Sequence, residues 1–536
     1  MRAQLLAPAL AALAGLAGLL AHPPVGWWPT TFLAPGFLIA ALWLDADARS
    51  AEGRRPRAAR LGGLAGAVTF APMLSWLILP ADYIGWGLLV AVQVAWMALL
   101  AVLLTPFLQG RWLPLIGAVV WTGIDAWRAI WPLGGFEWGA IAYAHVDGSW
   151  MIPVARLVGG RGITFLVVVM SIAGAMVIRQ TWVSVRGRGD SPMEQALSAT
   201  TWPIAWLVGG LVVSVLAVVD PPPEDGQLDI LAVQGNDRRH WEDPSPDPDP
   251  PLRITTAMRD ETLSAIERDG TPDLTVWPES SIDRDPYSDR GAELGQLAGD
   301  AAEAAGTLVT GVTLDGPDPE INRYVAAIVL EDGLDETDRY VKRRLVPFGE
   351  YIPARSLLDW FPPLDQVPRD AIPGEGPQTL EVGDDDIPVS IIICFETKFQ
   401  ALTRDNVLGD GDTGPTELLL TLTNDASFGD SAEPDQHLAQ SQLRAIETGR
   451  HVVHAALTGS SAFVDPDGGV EHATDLFTVD SIRAEVPLVQ GLTPYLVIGD
   501  VVGWLTRAGV IAAGALLLWA AVVRRRADSL TIADDR

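Results

Sequence analysis

Residues 340–350 read YVKRRLVPFGE, and two shorter stretches, VWPES at 276–280 and IIICFE at 391–396, share a pattern with them. Each places a charged or nucleophilic side chain at the end of a short apolar run, which is typical of a buried strand. Side chains at strand ends can meet at one edge of a sheet, where layered α/β proteins often carry their active sites. We therefore predict that Glu279, Lys342 and Cys394 meet at one edge of an α/β domain.

These three side chains suit acyl-transfer chemistry. A thiol attacks a carbonyl carbon only as the thiolate, so Cys394 needs a base, and a carboxylate shielded from water such as Glu279 can take its proton. The attack creates an oxyanion, which the compact ammonium of Lys342 and nearby backbone N–H groups can stabilise. Each residue alone also has an ordinary explanation, as a core cysteine, a glutamate that bounds a strand and a lysine in a solvated turn.

Further short apolar runs alternate with alanine- and charge-rich stretches between residues 221 and 500. We predict strands at residues 228–233, 274–277, 307–312, 325–330, 389–394 and 418–422. We predict helices at residues 257–268 and 291–305. Strands that alternate with helices in this way are typical of an α/β fold.

Longer apolar runs occupy the first 220 residues and one stretch near the end. We predict transmembrane helices at residues 5–21, 27–44, 61–79, 84–108, 112–131, 163–178, 203–219 and 501–523. We interpret the first as a retained helix rather than a cleaved signal peptide, because another hydrophobic segment follows almost at once. In the fifth, Asp125 and Arg128 lie one helical turn apart and are costly in a membrane unless they are paired.

Arginine clusters predict the orientation of these helices. The clusters follow the second, sixth and last segments, within residues 49–60, 179–188 and 524–526. Cytoplasmic loops are enriched in positive charge, so a cytoplasmic N-terminus places all three clusters inside. We therefore predict a membrane domain of seven helices at residues 1–220, an extracytoplasmic domain at residues 221–500, and a final helix with a cytoplasmic tail at residues 501–536.

Charge and cysteine content exclude several functions. The 536-residue chain has a formal net charge of -30, and residues 221–500 contain 54 acidic and 19 basic residues. So acidic a surface repels phosphates, and nucleic-acid binding is not expected. Cys394 is the only cysteine, which excludes an intramolecular disulfide and a multi-cysteine metal site. Lysine occurs only at Lys342 and Lys398, so its presence beside the other candidates is notable in an arginine-rich chain.

In order and surroundings, the three stretches resemble the Glu-Lys-Cys triad of the nitrilase (carbon–nitrogen hydrolase) superfamily. Within it, the chain resembles the apolipoprotein N-acyltransferase family, which has seven N-terminal membrane helices, an external nitrilase-like domain and one final helix. Further matching stretches are VQGN at 233–236, GFEW at 135–138, NDASFG at 424–429 and QH at 436–437. Family members often have tyrosine where this chain has Phe395, tryptophan at Ser427, proline at Glu137 and asparagine at Leu457.

The resemblance implies an αββα sandwich for residues 221–500. It also implies transfer of a fatty acyl chain from a phospholipid to the α-amino group of a lipoprotein's N-terminal diacylglyceryl-cysteine. Glu279 is then the base, Lys342 holds the oxyanion, and Cys394 carries a thioester, with no metal or diffusible cofactor. Supporting roles fall to Glu350, Glu396 and Phe395. Candidates for lining a lipid entrance, which could equally be core aromatics, are Trp241, Trp277, Phe348 and Phe428.

The expected location is the bacterial inner membrane, with the acidic domain in the periplasm, and the expected state is a monomer. Two other functions remain open. A membrane-tethered amidase or nitrilase would use the same triad to hydrolyse a small amide, although one anchor would then suffice. A non-catalytic membrane receptor could retain a nitrilase-like domain without its chemistry.

Overall fold

The computed structural model describes residues 2–186, 192–237, 248–358, 367–383, 385–409, 411 and 414–534. The chain divides into two compact units. The first comprises Met1–His145, Ser149–Val218 and Asp500–Arg536, and the second comprises Val146–Gly148 and Val219–Gly499. Each unit has its own set of secondary-structure elements.

The first unit is helical. Its helices are α1 (Arg2–Ala21), α2 (Ala34–Ala48), α3 (Arg54–Met73), α4 (Ile78–Leu104), α5 (Leu113–Arg128), α6 (Ile152–Val158), α7 (Gly160–Arg186), α8 (Pro192–Leu216) and α15 (Val501–Asp534). Each of the eight predicted apolar segments overlaps one of these helices, and the short helix α6 is additional. The boundaries differ most at α8, which begins eleven residues before its apolar run, and at α15, which ends eleven residues after its apolar run.

Several of these helices are apolar enough to cross a membrane. Among the described residues, four stretches have the necessary length and composition, namely Trp28–Ala48, Ser75–Leu104, Gly160–Val185 and Val501–Val523. Two shorter apolar helices span Leu5–Ala21 and Thr200–Leu216. The first unit is therefore a set of apolar helices suited to a bilayer.

The charged pair on α5 forms hydrogen bonds inside this unit, while the second oxygen of Asp125, Oδ2, has no hydrogen-bond partner among the described residues. Arg128 Nη1 donates to Asp125 Oδ1 at 2.7 Å, and Arg128 Nε donates to Gln93 Oε1 at 2.7 Å. The guanidinium also donates to the Trp138 carbonyl and lies over the Phe70 ring. Both charged side chains are buried, and their pairing reduces the cost of placing charges on an apolar helix. We therefore interpret the pair as structural.

The second unit is built from two β-sheets. Its strands are β1 (Glu224–Gln234), β2 (Leu274–Ile282), β3 (Thr307–Asp315), β4 (Asn322–Glu331), β5 (Asp335–Val341), β6 (Asp370–Ala371), β7 (Thr379–Val382), β8 (Ile387–Ile393), β9 (Leu418–Thr423), β10 (Val452–Ala456), β11 (Ala462–Val464), β12 (Val470–Glu471) and β13 (Asp480–Val489). The first sheet has the order β13-β1-β2-β3-β4-β5, with β6 beside β4, and the second has the order β12-β11-β10-β9-β8-β7. Neighbours β1, β2 and β3 are parallel, as are β8, β9 and β10.

Helices flank the two sheets. They are α9 (Pro250–Asp269), α10 (Ala292–Ala305), α11 (Arg355–Leu358), α12 (Gln400–Leu408), α13 (Glu433–Thr448) and α14 (Pro494–Ile498). The inner faces of both sheets share one apolar core, to which Val276 and Ile391 belong. Successive strand residues point to opposite faces, so Trp277 packs instead with α9 and α10, and Ile392 packs with α13. The predicted αββα sandwich is confirmed.

Candidate active site

Glu279 lies on β2, where the pairing with β3 becomes irregular. The register between the two strands shifts between Trp277 and Ile282, and Ser280 has a φ of 62°. The neighbouring strand approaches closely at Gly311, where a Cβ atom would lie 2.6 Å from Glu279 Cα and 2.5 Å from the Pro278 carbonyl oxygen. A glycine at position 311 therefore allows the backbone that carries Glu279 to bulge toward β3.

Lys342 follows β5 directly and lies between two carboxylates. Its Nζ donates to Glu279 Oε1 at 2.9 Å and to Glu350 Oε1 at 2.6 Å. The second oxygen of Glu350 accepts the Val346 N–H at 2.7 Å, so the loop holds Glu350 in place. Lys342 is completely buried, and both glutamates are 8% exposed. A single charged group is costly to bury, so the ammonium and the two carboxylates stabilise one another in this site of low polarity.

Cys394 follows β8 and begins a short 3₁₀ turn, Cys394–Lys398. Its φ of 48° is in the left-handed region, which is uncommon for a residue with a side chain and is found where surrounding contacts enforce it. The charges of Glu279 and Lys342 both act on the thiol: the carboxylate raises its pKa and the ammonium lowers it. The structure therefore brings the three predicted side chains together.

Glu396 ties the cysteine turn to the lysine loop. Its Oε1 accepts the N–H groups of Arg343 and Arg344 at 2.7 and 2.9 Å. Its Oε2 accepts the Ile393 N–H at 3.0 Å and the Tyr340 hydroxyl at 2.9 Å. Glu396 is fully buried, and these four donors replace the water that the carboxylate loses. This side chain therefore fixes the backbone after Lys342 and the backbone before Cys394 relative to each other.

Burial and charge set the protonation states of the site. Burial raises the pKa of Glu279, and the opposing effect of Lys342 does not cancel it because the Glu350 carboxylate raises it further. Burial alone would lower the pKa of Lys342, but the two carboxylates hold it well above its usual value. Burial and the Glu279 charge raise the pKa of the Cys394 thiol well above normal. These shifts favour an ammonium at Lys342 and a neutral thiol at Cys394, and they make the ionised form of Glu279 more basic than an ordinary glutamate.

The predicted aromatic residues have different environments. Phe395 is partly exposed, and Lys398 Nζ lies 3.1 Å from the centre of its ring. Phe348 is 47% exposed beside Glu350, and Phe428 is partly exposed after β9, so both stay candidates for lipid contact. Trp277 does not fit that role, because its side chain has no exposed surface and its Nε1 donates to Thr262. Trp241 lies outside the described residues.

A cluster of three buried polar side chains lies next to the cysteine turn and was not predicted from the sequence. His437, Asp425 and Glu433 come from α13 and the segment after β9, and their donor atoms lie within 4.8 Å of one another. Among the described residues, this cluster has the composition and spacing that could hold a metal ion. However, His437 Nδ1 and Asp425 Oδ1 are already 3.2 Å apart, which is a hydrogen-bond distance. The stretches NDASFG and QH mark both segments, but no local pattern indicates that they meet.

Two family models match separate parts of the chain. Residues 14–173 match the apolipoprotein N-acyltransferase N-terminal domain, and residues 252–491 match the carbon-nitrogen hydrolase family. The second match covers β2, the lysine loop and the cysteine turn. The two matches therefore correspond to the helical unit and to the α/β sandwich.

Relatives extend the similarity over almost the whole chain. An apolipoprotein N-acyltransferase of Photobacterium profundum is 28% identical, with 92% of this chain and 91% of the relative aligned. One of Azotobacter vinelandii is 30% identical, with 97% of this chain and 95% of the relative aligned. Among solved structures, an amidase from Nesterenkonia sp. aligns with 52% of this chain and 95% of its own at 16% identity and a TM-score of 0.33, which is too low to support an argument. At 30% identity over nearly the full length of both proteins, the chain belongs to the apolipoprotein N-acyltransferase family.

Proposed function

We propose that this protein transfers a fatty acyl chain from a phospholipid to the α-amino group of the N-terminal S-diacylglyceryl-cysteine of lipoproteins. The observation that carries the proposal is the buried set of Glu279, Lys342 and Glu350 around the Cys394 thiol, in a chain of this family that also carries apolar helices. We assign Glu279 as the base, Lys342 as the oxyanion-binding cation and Cys394 as the nucleophile.

In the first half-reaction, the Glu279 carboxylate takes the thiol proton as Cys394 Sγ bonds to the ester carbonyl carbon of the phospholipid. The resulting oxyanion is bound by the Lys342 ammonium and a backbone N–H of the cysteine turn. The carbon–oxygen ester bond then breaks, and the proton on Glu279 passes to the departing lysophospholipid oxygen. A thioester remains on Cys394. The raised pKa of Glu279 makes this carboxylate a stronger base than an ordinary glutamate.

In the second half-reaction, the lipoprotein amine attacks the thioester carbonyl and forms the same kind of oxyanion. Glu279 takes a proton from the attacking nitrogen, the carbon–sulfur bond breaks, and Cys394 leaves as a thiolate that regains the proton. The products are an amide-linked acyl chain and the free enzyme. Glu350 keeps Lys342 in place during both halves, because it accepts a hydrogen bond from the same Nζ as Glu279 does.

The lipid substrates account for the helical unit. We propose eight membrane-spanning helices, α1 to α5, α7, α8 and α15, with the catalytic unit on the periplasmic side of a bacterial inner membrane. The arginine clusters support this orientation. Two lipid substrates that stay in the outer leaflet need a catalytic site near that leaflet, and a site poor in water protects the thioester from hydrolysis. We further propose a monomer, with Phe348 and Phe428 in contact with the lipid substrates.

The direct test supplies the purified full-length protein with a phospholipid and a diacylated lipopeptide. An amide-linked third acyl chain on the peptide, formed by the wild type and not by Cys394→Ala, is the expected result. Release of ammonia from small amides with no lipopeptide product would indicate the amidase instead. A Cys394→Ala variant that retains the cellular role would indicate a non-catalytic receptor.

A further inference from the structure

The peptide group between Cys394 and Phe395 is held from its carbonyl side by two buried side chains. His437 Nε2 lies 3.1 Å from the Cys394 carbonyl oxygen, and Thr397 Oγ1 donates to the same oxygen at 2.8 Å. The same nitrogen also lies 3.3 Å from Thr397 Oγ1. A carbonyl oxygen can only accept, so the contact with the Cys394 oxygen is a hydrogen bond in those forms of the ring that have a hydrogen on Nε2. His437 is 2% exposed and Thr397 is completely buried, so neither contact competes with bulk water.

The orientation of this peptide matters because it determines the direction of the peptide N–H group. A trans peptide is planar, and its C=O and N–H bonds point in opposite directions. Holding the Cys394 oxygen therefore also sets the direction of the Phe395 N–H, the first backbone donor after the nucleophilic sulfur. The positive φ of Cys394 shows that the turn is not a conformation that the chain adopts freely. Hydrogen bonds to the carbonyl also polarise the peptide and strengthen its N–H as a donor.

The other ring nitrogen of His437, Nδ1, also has a polar contact. His437 Nδ1 lies 3.2 Å from Asp425 Oδ1, and the Thr423 hydroxyl donates to that same oxygen at 2.9 Å. Burial tends to raise the pKa of Asp425, but His437 and Thr423 lower it overall, so Asp425 is a carboxylate that accepts these bonds. On a further side, the His454 ring packs edge-on against His437 with centroids 5.5 Å apart. The ring therefore has one orientation available.

We propose that His437, held by Asp425, is a positioning residue that orients the Cys394–Phe395 peptide so that the Phe395 N–H and Lys342 together bind the oxyanion. The inference rests on the proposed acyl transfer and adds to it a residue that touches neither substrate nor sulfur. It also assigns a role to the buried cluster beside the cysteine turn. Removal of one well-placed donor from an oxyanion hole typically lowers kcat about 10²- to 10³-fold. A donor that is still present but imperfectly placed should lower kcat by less than that.

The test compares two reactions of the same sulfur in the full-length protein. Thioester formation from phospholipid passes through an oxyanion, whereas alkylation by iodoacetamide displaces iodide at a saturated carbon and forms none. We expect His437→Leu to slow thioester formation about 10- to 100-fold, mainly in kcat rather than KM, and to leave alkylation within about threefold of wild type. His437→Gln, which keeps an N–H donor, should recover part of the rate.

Two further variants guard against a simple folding defect. Thr397→Val removes the other hydrogen bond to the same oxygen with little change in shape, and should slow thioester formation in the same selective way. His454→Gln is the matched control, because His454 is equally buried and touches His437 but has no hydrogen bond to the cysteine turn among those described. It should leave both reactions near wild type.

Equal losses in both reactions for His437→Leu and Thr397→Val would overturn the inference, since they would show a general disturbance of Cys394. Unchanged thioester formation in both variants would overturn it as well. Failure of the wild type to form any thioester is a different outcome, which refutes the proposed function itself.

Discussion

Removal of the Lys342 charge should destabilise the protein in a pH-dependent way. In Lys342→Met, two carboxylates that are each 8% exposed lose the ammonium that lies 2.9 Å from one and 2.6 Å from the other. Removing one partner of a buried ion pair typically costs about 3–5 kcal/mol. For a unit of this size, that corresponds to a fall in unfolding temperature of roughly 6–20 °C at pH 8.

The pH dependence follows from the two carboxylates that remain. Without the ammonium, burial and the nearby Glu350 charge raise the pKa of Glu279 in the folded state further above the value of about 4.3 in the unfolded chain. A group whose pKa is raised on folding contributes stability at low pH and loses it as the pH rises through the folded-state pKa. The difference from wild type should therefore be largest at pH 8 and should shrink toward pH 5.

Thermal unfolding of the full-length protein in lipid nanodiscs, at pH 5 and pH 8, measures this effect. The matched control is the triple variant Lys342→Met, Glu279→Gln and Glu350→Gln, which removes all three charges. It should unfold closer to the wild-type temperature, with no pH-dependent gap, although it is inactive. A Lys342→Met protein as stable as wild type at pH 8, or equally destabilised at both pH values, would refute the argument that the three charges are a buried, mutually compensating set.

Three further substitutions test other contacts of the site. Because the Glu350 carboxylate raises the pKa of Glu279, Glu350→Gln should move the acid limb of the pH–rate profile for thioester formation to lower pH, and an unmoved limb would contradict this coupling. Gly311→Ala places a Cβ 2.6 Å from Glu279 Cα, so we expect a loss of about 1–3 kcal/mol in unfolding free energy and slower thioester formation, whereas wild-type values in both assays would show that the bulge is not tight. Tyr340→Phe removes one of four donors to Glu396 and should cost about 1–3 kcal/mol in denaturant unfolding, which an unchanged midpoint would disprove.

The predicted part of the site is the part that lies at strand ends. Glu279 and Cys394 sit in or directly after strands with a recognisable apolar run, so these two strands were predictable, and the topology of the sandwich accounts for their meeting with Lys342. The six predicted strands all exist, within a few residues at their ends. The strand β5, DETDRYV, was not predictable in this way, because most of its residues are polar and it lies at the edge of its sheet.

The contacts of His437 and Asp425 could not be predicted from the sequence, for a different reason. His437 is 43 residues from Cys394, and its role depends on where α13 packs against the second sheet rather than on local sequence. Trp277 shows the converse limit. It stands one residue from an inward-facing strand position, and the alternation of β2 places its ring in the core against α9 and α10 instead of at a lipid-facing opening.

Intact-mass analysis of the full-length protein after incubation with phospholipid, in the absence of a lipopeptide, tests the central claim most directly. The account predicts an added mass equal to one acyl chain, removable by neutral hydroxylamine and by a diacylated lipopeptide, and absent from Cys394→Ala. An unmodified wild-type protein, or an acyl adduct that persists in Cys394→Ala, would contradict it.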